Sequence, residues 1–319
     1  MYQTPDIELW KGRVNPDPED LLIHQIITCV DLTADSWKPV SDRHIALLGF
    51  SCDEGVRRNF GRVGARNSPD AIRRQLAGLS APFKSESVGL LDVGNVICSG
   101  QGLEAASAML ERKVTEIVGM ECTPFVLGGG HETAFPHFMA LRRAHAGKRL
   151  GIINFDAHFD LRRYDNGPHS GSPFRNILDI CHKEGTSFDY LPVGIRREAN
   201  TTSLFELMHE YRQQYILLEE VQEEFEDVVA KIDGFMEDLD GIYVTVDLDC
   251  IPSAYAPGVS AVAPDGILPA TLRTLVRGIL AKRKTVGVDI VELNPVYDID
   301  SRTAKLASSL IHHMLSWIY

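Results

Sequence analysis

Residues 149–160 read RLGIINFDAHFD, an apolar run that breaks off at Asp156 and then alternates acid, imidazole and acid at Asp156, His158 and Asp160. An unbroken apolar run, as opposed to an alternating one, is what a strand needs when helices cover both its faces. Polar residues gathered at its carboxyl end fall where open parallel sheets bind their ligands. Seven runs of the same kind surround it: HIALLGF from 44, VGLLDV from 88, PFVLGG from 124, YLPVGI from 190, YILLE from 215, IYVTVDLD from 242 and VGVDIVEL from 286. Between them, apolar residues recur at helical spacing over 103–118, 133–144, 203–213, 223–238, 269–282 and 303–317. A further helix is expected to open at Ser68-Pro69, with the serine as cap and the proline at the first helical position. This rhythm predicts βα units and a parallel sheet. The stretch from Arg162 to Phe174 is the main irregular insertion, and long loops in compact domains are usually functional.

Three of the runs end in clusters that carry chemistry. GGGHE places His131 just after a glycine turn, DAHFD supplies Asp156, His158 and Asp160, and DLD supplies Asp247 and Asp249. Residues two apart on extended chain point the same way, so each cluster can converge on one point. Any one of these aspartates alone would be read as a helix cap or turn residue. Together they offer four carboxylates and two imidazoles without a thiolate, a hard set that favours manganese or another octahedral divalent ion over structural zinc. Burying unpaired carboxylates costs several kcal/mol each, and no Lys or Arg lies inside the three motifs to offset that. Six ligands are too many for one ion that must also hold water. Two ions about 3.5–4 Å apart, sharing aspartates, fit the logic of two-metal hydrolysis.

The rest of the composition sets boundaries. With 319 residues and 44% hydrophobic content the chain can bury a large core, and one domain spanning 1–319 is expected. Residues 1–42, with Trp10 and Trp37, form an N-terminal extension outside the motifs, expected on the sheet edge or against a neighbouring subunit. A formal net charge of -12 argues against nucleic acid and anionic membrane as partners, so any bound anion must meet a local cluster. The first residues, MYQTPDIELWKGR, have acids and no apolar core, unlike a secretory signal, and no apolar run reaches membrane-spanning length. A cytoplasmic protein is expected. The six cysteines lack any CxxC spacing and read as reduced thiols.

The stretches GGGHE, NFDAHFDLR, VTVDLDCIPSAYAPGVSAVAP and VDIVELNPVYDID, in this order, resemble the successive signatures of the arginase, agmatinase and formimidoylglutamase superfamily. The likeness runs from about Ala46 to the C-terminus. It implies a three-layer α/β/α sandwich around an eight-stranded parallel sheet, in agreement with the strand count above. It also implies two Mn2+ per subunit, one held by His131, Asp156, Asp160 and Asp247, the other by Asp156, His158, Asp247 and Asp249. The implied reaction is attack of a metal-bridging hydroxide on an amidine or guanidine carbon. Asp249 would orient the water and relay a proton, and Glu292 would pair with the cationic nitrogen of the substrate. The superfamily is commonly trimeric or hexameric, so a homo-oligomer is expected.

Departures from the arginase pattern narrow the substrate. The third aspartate of arginase-type segments is missing from Asp247-Leu-Asp249-Cys-Ile-Pro-Ser, and a serine replaces the loop histidine in His169-Ser170-Gly171-Ser172-Pro173. That serine is a feature of formimidoylglutamases, and His169 is the remaining candidate shuttle. The segment DEGVRRNFGRVGAR gathers Arg57, Arg58, Arg62 and Arg66, suited to a substrate with two carboxylates because Arg binds carboxylate bidentately. Arg58, Arg197 and Asn200, the last two from GIRREAN, are the expected substrate contacts, with Arg163 and Arg175 behind them. The resemblance therefore points to N-formimidoyl-L-glutamate as the small-molecule substrate, ahead of the guanidines taken by guanidinobutyrase, guanidinopropionase or agmatinase. A metal-binding scaffold without catalysis is the alternative from another class.

Overall fold

The computed structural model describes residues 1–17, 20–34, 43–83, 87–100 and 102–319. Ten strands form one sheet: β1 (Tyr2–Gln3), β2 (Ile27–Cys29), β3 (His44–Ser51), β4 (Gly89–Ile97), β5 (Cys122–Leu127), β6 (Leu150–Phe155), β7 (Asp189–Ile195), β8 (Ile216–Leu217), β9 (Gly241–Asp247) and β10 (Thr285–Val291). Their order is β1-β4-β3-β5-β10-β9-β6-β7-β8, with β2 also pairing with β4. The strands from β3 to β10 are mutually parallel. They form the parallel core expected from the sequence, inside a larger sheet.

Successive side chains on a strand face opposite ways, and the two faces build separate cores. Ile45, Leu47, Phe125, Phe155, Val244 and Ile290 face helices Ser68–Leu76, Phe225–Met236, Pro269–Leu280 and Arg302–Leu315. Ala46, Leu48, Phe50, Val126, Ile152 and Tyr243 face helices Leu103–Gly119, Ala134–Ala144, Pro173–Glu184 and Thr202–Glu210. The result is a three-layer α/β/α sandwich. The helix Pro269–Leu280 shows why these segments take their form: its proline sits in the first turn, where a missing N–H costs nothing. Leu272, Leu275, Val276 and Ile279 then bury one face, each contributing about 1.5–3 kcal/mol.

Three details differ from the sequence expectation, while the N-terminal segment takes its expected place at the sheet edge. Ser68 is the first residue inside its helix; Asn67 precedes it, and the Ser68 hydroxyl has no partner and caps nothing. The helix Pro173–Glu184 begins inside the stretch read as a loop, opened by Pro173 and closed by Gly185 in the left-handed conformation. In YILLE only Ile216–Leu217 is strand, because Leu218–Glu223 turns helical. The N-terminal segment extends the sheet at its edge, β1 antiparallel and β2 parallel to β4. Gly94 makes room for that addition: its φ is +80°, and a Cβ there would lie 2.1 Å from the Gln3 carbonyl. Trp10 is buried under this edge, whereas Trp37 lies outside the described residues. Among those residues no helix is long and apolar enough to cross a membrane, and all six cysteines are free.

Crossovers carry the chain outward and back, so β5, β10, β9 and β6 become consecutive neighbours at the centre of the sheet. Their carboxyl ends deliver His131, Glu292, Asp247 and Asp156 to one place.

Candidate metal centre

Each polar side chain at this edge is aimed by local backbone chemistry. After β5 the chain turns through Gly128-Gly129-Gly130, and a Cβ on Gly129 would lie 1.8 Å from the Cys52 carbonyl. Only glycine lets the end of β3 press this closely on the turn, and the Gly130 N–H bonds that same carbonyl at 3.1 Å. His131 follows, its N–H donating to Glu292 Oε1 at 2.8 Å and its Nε2 lying 3.1 Å from the Thr245 hydroxyl. With Nε2 donating to Thr245, Nδ1 keeps its lone pair for a ligand, the arrangement typical of metal-bound imidazoles. The Phe174 ring packs edge-on against the imidazole, centroids 5.3 Å apart.

β6 stops at Phe155, so the convergence of DAHFD does not come from strand alternation. Asp156 Oδ1 accepts the His158 N–H at 2.7 Å, which curls the chain back on itself. Asp160 adopts a φ of +48°, a left-handed conformation uncommon for a residue with a side chain. At the end of β9, Asp247 Oδ1 accepts the Asp249 N–H at 2.8 Å and starts a short 3-10 turn.

The ligand atoms fall into two sets, His131, Asp156, Asp160 and Asp247 in one and Asp156, His158 and Asp249 in the other, all within 4.8 Å of one another in each. Asp156 is common to both. Asp247 stands in the first set only, although the superfamily pattern makes it a second bridge. His131 Nδ1 lies 2.9 Å from Asp160, 3.1 Å from Asp156 and 3.2 Å from Asp247. It nevertheless has no hydrogen-bond partner, and Asp249 Oδ1 is likewise buried and unpartnered. A ring nitrogen carries at most one proton and cannot satisfy three carboxylates. A cation between them can, so these residues fit a metal.

The electrostatics agree. Burial opposes charge on His131 and His158, yet surrounding carboxylates outweigh it and hold both imidazoles well above their ordinary pKa. Burial, reinforced by Asp249 and Asp156, pushes Asp247 well above the usual carboxylate range, and burial raises Asp249 too. Asp156, which burial alone would raise, is held low by the two imidazoles. Next to the cluster, burial lifts Glu132 to about 7, and burial together with Glu132 lifts Glu292 well above its usual value.

The arginase family model matches residues 43–316. The chain belongs to the arginase family. It is 40% identical over 313 residues to a formimidoylglutamase of Geobacillus sp. (strain WCH70), covering 97% of this chain and 94% of that protein. Among solved structures it resembles a variant of Trypanosoma cruzi formiminoglutamase with Mn2+, at 26% identity and a TM-score of 0.81, covering 93% of this chain and 98% of the other. The fold is also that of formimidoylglutamase from Bacillus subtilis, at 22% identity and a TM-score of 0.83, covering 96% and 94% of the two chains.

In this arginase-family chain several expected substrate contacts are committed elsewhere. Arg58 donates to Glu54 at 3.0 Å, to Glu104 at 2.6 and 3.1 Å and to the Pro168 carbonyl at 3.1 Å. It ties three segments together and does not wait for an anion. Arg57 pairs with Glu54, Arg175 with Asp179, and Arg163 is largely exposed beside Asp165. Arg62 donates to the Ser260 and Val259 carbonyls, and Arg66 to that of Cys98. Both donors of the Asn200 amide are spent on the Ala157 and Arg196 carbonyls, which leaves no N–H for a substrate carboxylate. Arg197 is 62% exposed, with only a 3.6 Å contact to Glu219. His169 has both ring nitrogens occupied, by Gly171 N–H and near the Arg163 carbonyl, and the Ser170 hydroxyl accepts from Asn59. Glu292 pairs with no arginine; its Oε1 is on the His131 backbone.

Three residues escaped the reading of the sequence. Thr245 and Glu132 flank the ligands, and Arg162 stands two residues beyond Asp160. The Arg162 guanidinium donates only to the neutral Asn59 amide, at 3.3 Å, and among the described residues it pairs with no carboxylate. Its signal was present in NFDAHFDLR, overshadowed by the denser arginine run at 57–66.

Proposed function

We propose that this chain is a binuclear manganese hydrolase that converts N-formimidoyl-L-glutamate and water to L-glutamate and formamide. The observation that carries the reading is the gathering of four buried aspartates and two histidines at adjoining strand ends, in a chain alike to formimidoylglutamases over nearly its whole length. The hard oxygen-rich donor set suits manganese.

When bound, a pair of divalent ions lowers the pKa of a shared water and offsets the negative charge that develops at the reacting carbon. The chain supplies the rest. Asp249 Oδ1, buried and without a partner, orients that water and carries its proton toward the departing amine. Glu292, fixed through Oε1 by the His131 N–H, meets the amidinium with its other oxygen, and the cation counters the repulsion from Glu132. The two carboxylates of the glutamate portion need donors, and Arg162 and Arg197 are edge arginines with loose ties. We extend the reading to one domain over 1–319, because β1 and β2 extend the sheet, to a homo-oligomer, as the superfamily resemblance implies, and to a cytoplasmic location.

The test is turnover with added Mn2+ across a panel of amidines and guanidines. Formamide release from N-formimidoyl-L-glutamate is expected, with little urea from arginine or agmatine. Comparable urea release would overturn the substrate assignment.

A further inference from the structure

The two imidazoles of the metal centre are held in different ways. His131 is steadied at its ring, with Nε2 3.1 Å from the Thr245 hydroxyl. His158 has no such support: among the described residues nothing hydrogen-bonds its Nε2, and its Nδ1 faces Asp156 at 3.4 Å and Asp249 at 3.1 Å. Its direction therefore depends on the backbone that carries it, in a stretch that has already left β6.

One side chain grips that backbone on both sides. Asn200 Nδ2 donates to the Ala157 carbonyl at 2.9 Å, and Asn200 Oδ1 accepts the Phe159 N–H at 3.0 Å. These groups belong to the two peptide planes that flank the His158 Cα, so a single amide fixes both. The second Nδ2 hydrogen goes to the Arg196 carbonyl at 2.8 Å, anchoring the clamp to the end of β7. The neighbouring ligand has its own supports. The Tyr190 hydroxyl donates to the Phe159 carbonyl at 2.8 Å, and the Phe174 N–H reaches the Asp160 carbonyl at 3.3 Å. Asp156 is held by its own N–H on the Val193 carbonyl, at 3.1 Å, and by the Asn154 amide. The Asn200 clamp thus acts most directly on His158, although the His158 N–H also bonds Asp156 Oδ1 at 2.7 Å and the Ala157 carbonyl takes a second bond from the Arg196 N–H at 3.1 Å.

We propose that Asn200 is a positioning residue that aims His158, and that it sets the affinity of the metal position formed by Asp156, His158 and Asp249 while leaving the position around His131 unchanged. This rests on the metal-centre reading given above. Partners that orient a metal-bound histidine are typically worth about 10–100-fold in metal affinity.

The test is manganese titration of the metal-stripped full chain, wild type against Asn200→Ala, followed by paramagnetic resonance and equilibrium dialysis. Wild type is expected to bind a spin-coupled pair. The variant should bind one ion with unchanged affinity and the other roughly 10–100-fold more weakly, giving the signal of isolated Mn2+ at equal loading. Loss of the three Asn200 bonds is expected to lower metal-free thermal stability as well, so the readout that a merely structural role would not move is the split between the two ions. A coupled pair of wild-type affinity in the variant overturns the proposal, and so does equal weakening of both ions. Wild type that binds no manganese overturns the metal reading itself. Should Asn200→Ala not fold, Asn200→Asp keeps the acceptor for Phe159 and loses both donors, and the same outcomes decide.

Discussion

Two of the buried charge clusters among the described residues are built on opposite principles. At the sheet edge, Arg73 meets Asp92 through Nε at 2.9 Å and a terminal nitrogen at 2.7 Å, and gives further bonds to the Gly94 carbonyl and to Asn95. Asp92 also accepts from Trp10 Nε1 at 2.7 Å and from the Gly94 N–H at 3.0 Å. The buried guanidinium faces the buried Asp92 carboxylate, which accepts at both oxygens, with the partly exposed Asp70 3.7 Å away. At the sheet centre four carboxylates face two imidazoles, and a histidine nitrogen and an aspartate oxygen remain without partners. The buried acid of the first cluster finds its counter-charge within the protein. The second reaches neutrality only by gaining cations or protons, which is what separates a site from a structural bridge.

The largest effect that sharpens this contrast is expected at His131. His131→Ala removes the ligand that three carboxylates surround, and turnover should fall by roughly 1,000-fold or more together with manganese content. A variant that keeps both its metal and its turnover would erase the distinction. Next comes Arg73→Met, which leaves Asp92 buried and unpaired. Chemical denaturation should show a loss of about 3–5 kcal/mol, with manganese per folded chain unchanged. If this substitution instead lowered metal content at full folding, the two clusters would be coupled and the contrast mistaken.

The buried His/Asp cluster was legible because its members sit inside short contiguous motifs whose residue types are costly to bury without a counter-charge. The strands β3 to β10 announced themselves by unbroken apolar runs, a local signal. What stayed hidden was either weakly apolar or long-range. β1 and β2 are two and three residues long and exist only because β4 offers them an edge. The helix Pro173–Glu184 carried its own punctuation in Pro173 and Gly185, but the loop reading had already claimed its start. Arg58 looked available because its partners, Glu104 and the Pro168 carbonyl, are 46 and 110 residues away along the chain. Asn200 looked like a substrate contact for the same reason: the backbone it grips lies about forty residues upstream. Motifs disclose which residues have chemistry to offer, while the fold decides which have already spent it.

The most direct measurement is metal content. The protein is stripped with chelator, equilibrated with Mn2+ at pH 7, freed of loose ions and assayed for manganese per folded chain, then compared with the same procedure at pH 5. Close to two ions per chain are expected at pH 7. Fewer should remain at pH 5, because His131 and His158, held protonated to higher pH than ordinary imidazoles, must lose protons before they can bind. A folded chain that retains no manganese at pH 7 would contradict the claim that the buried acids exist to hold cations.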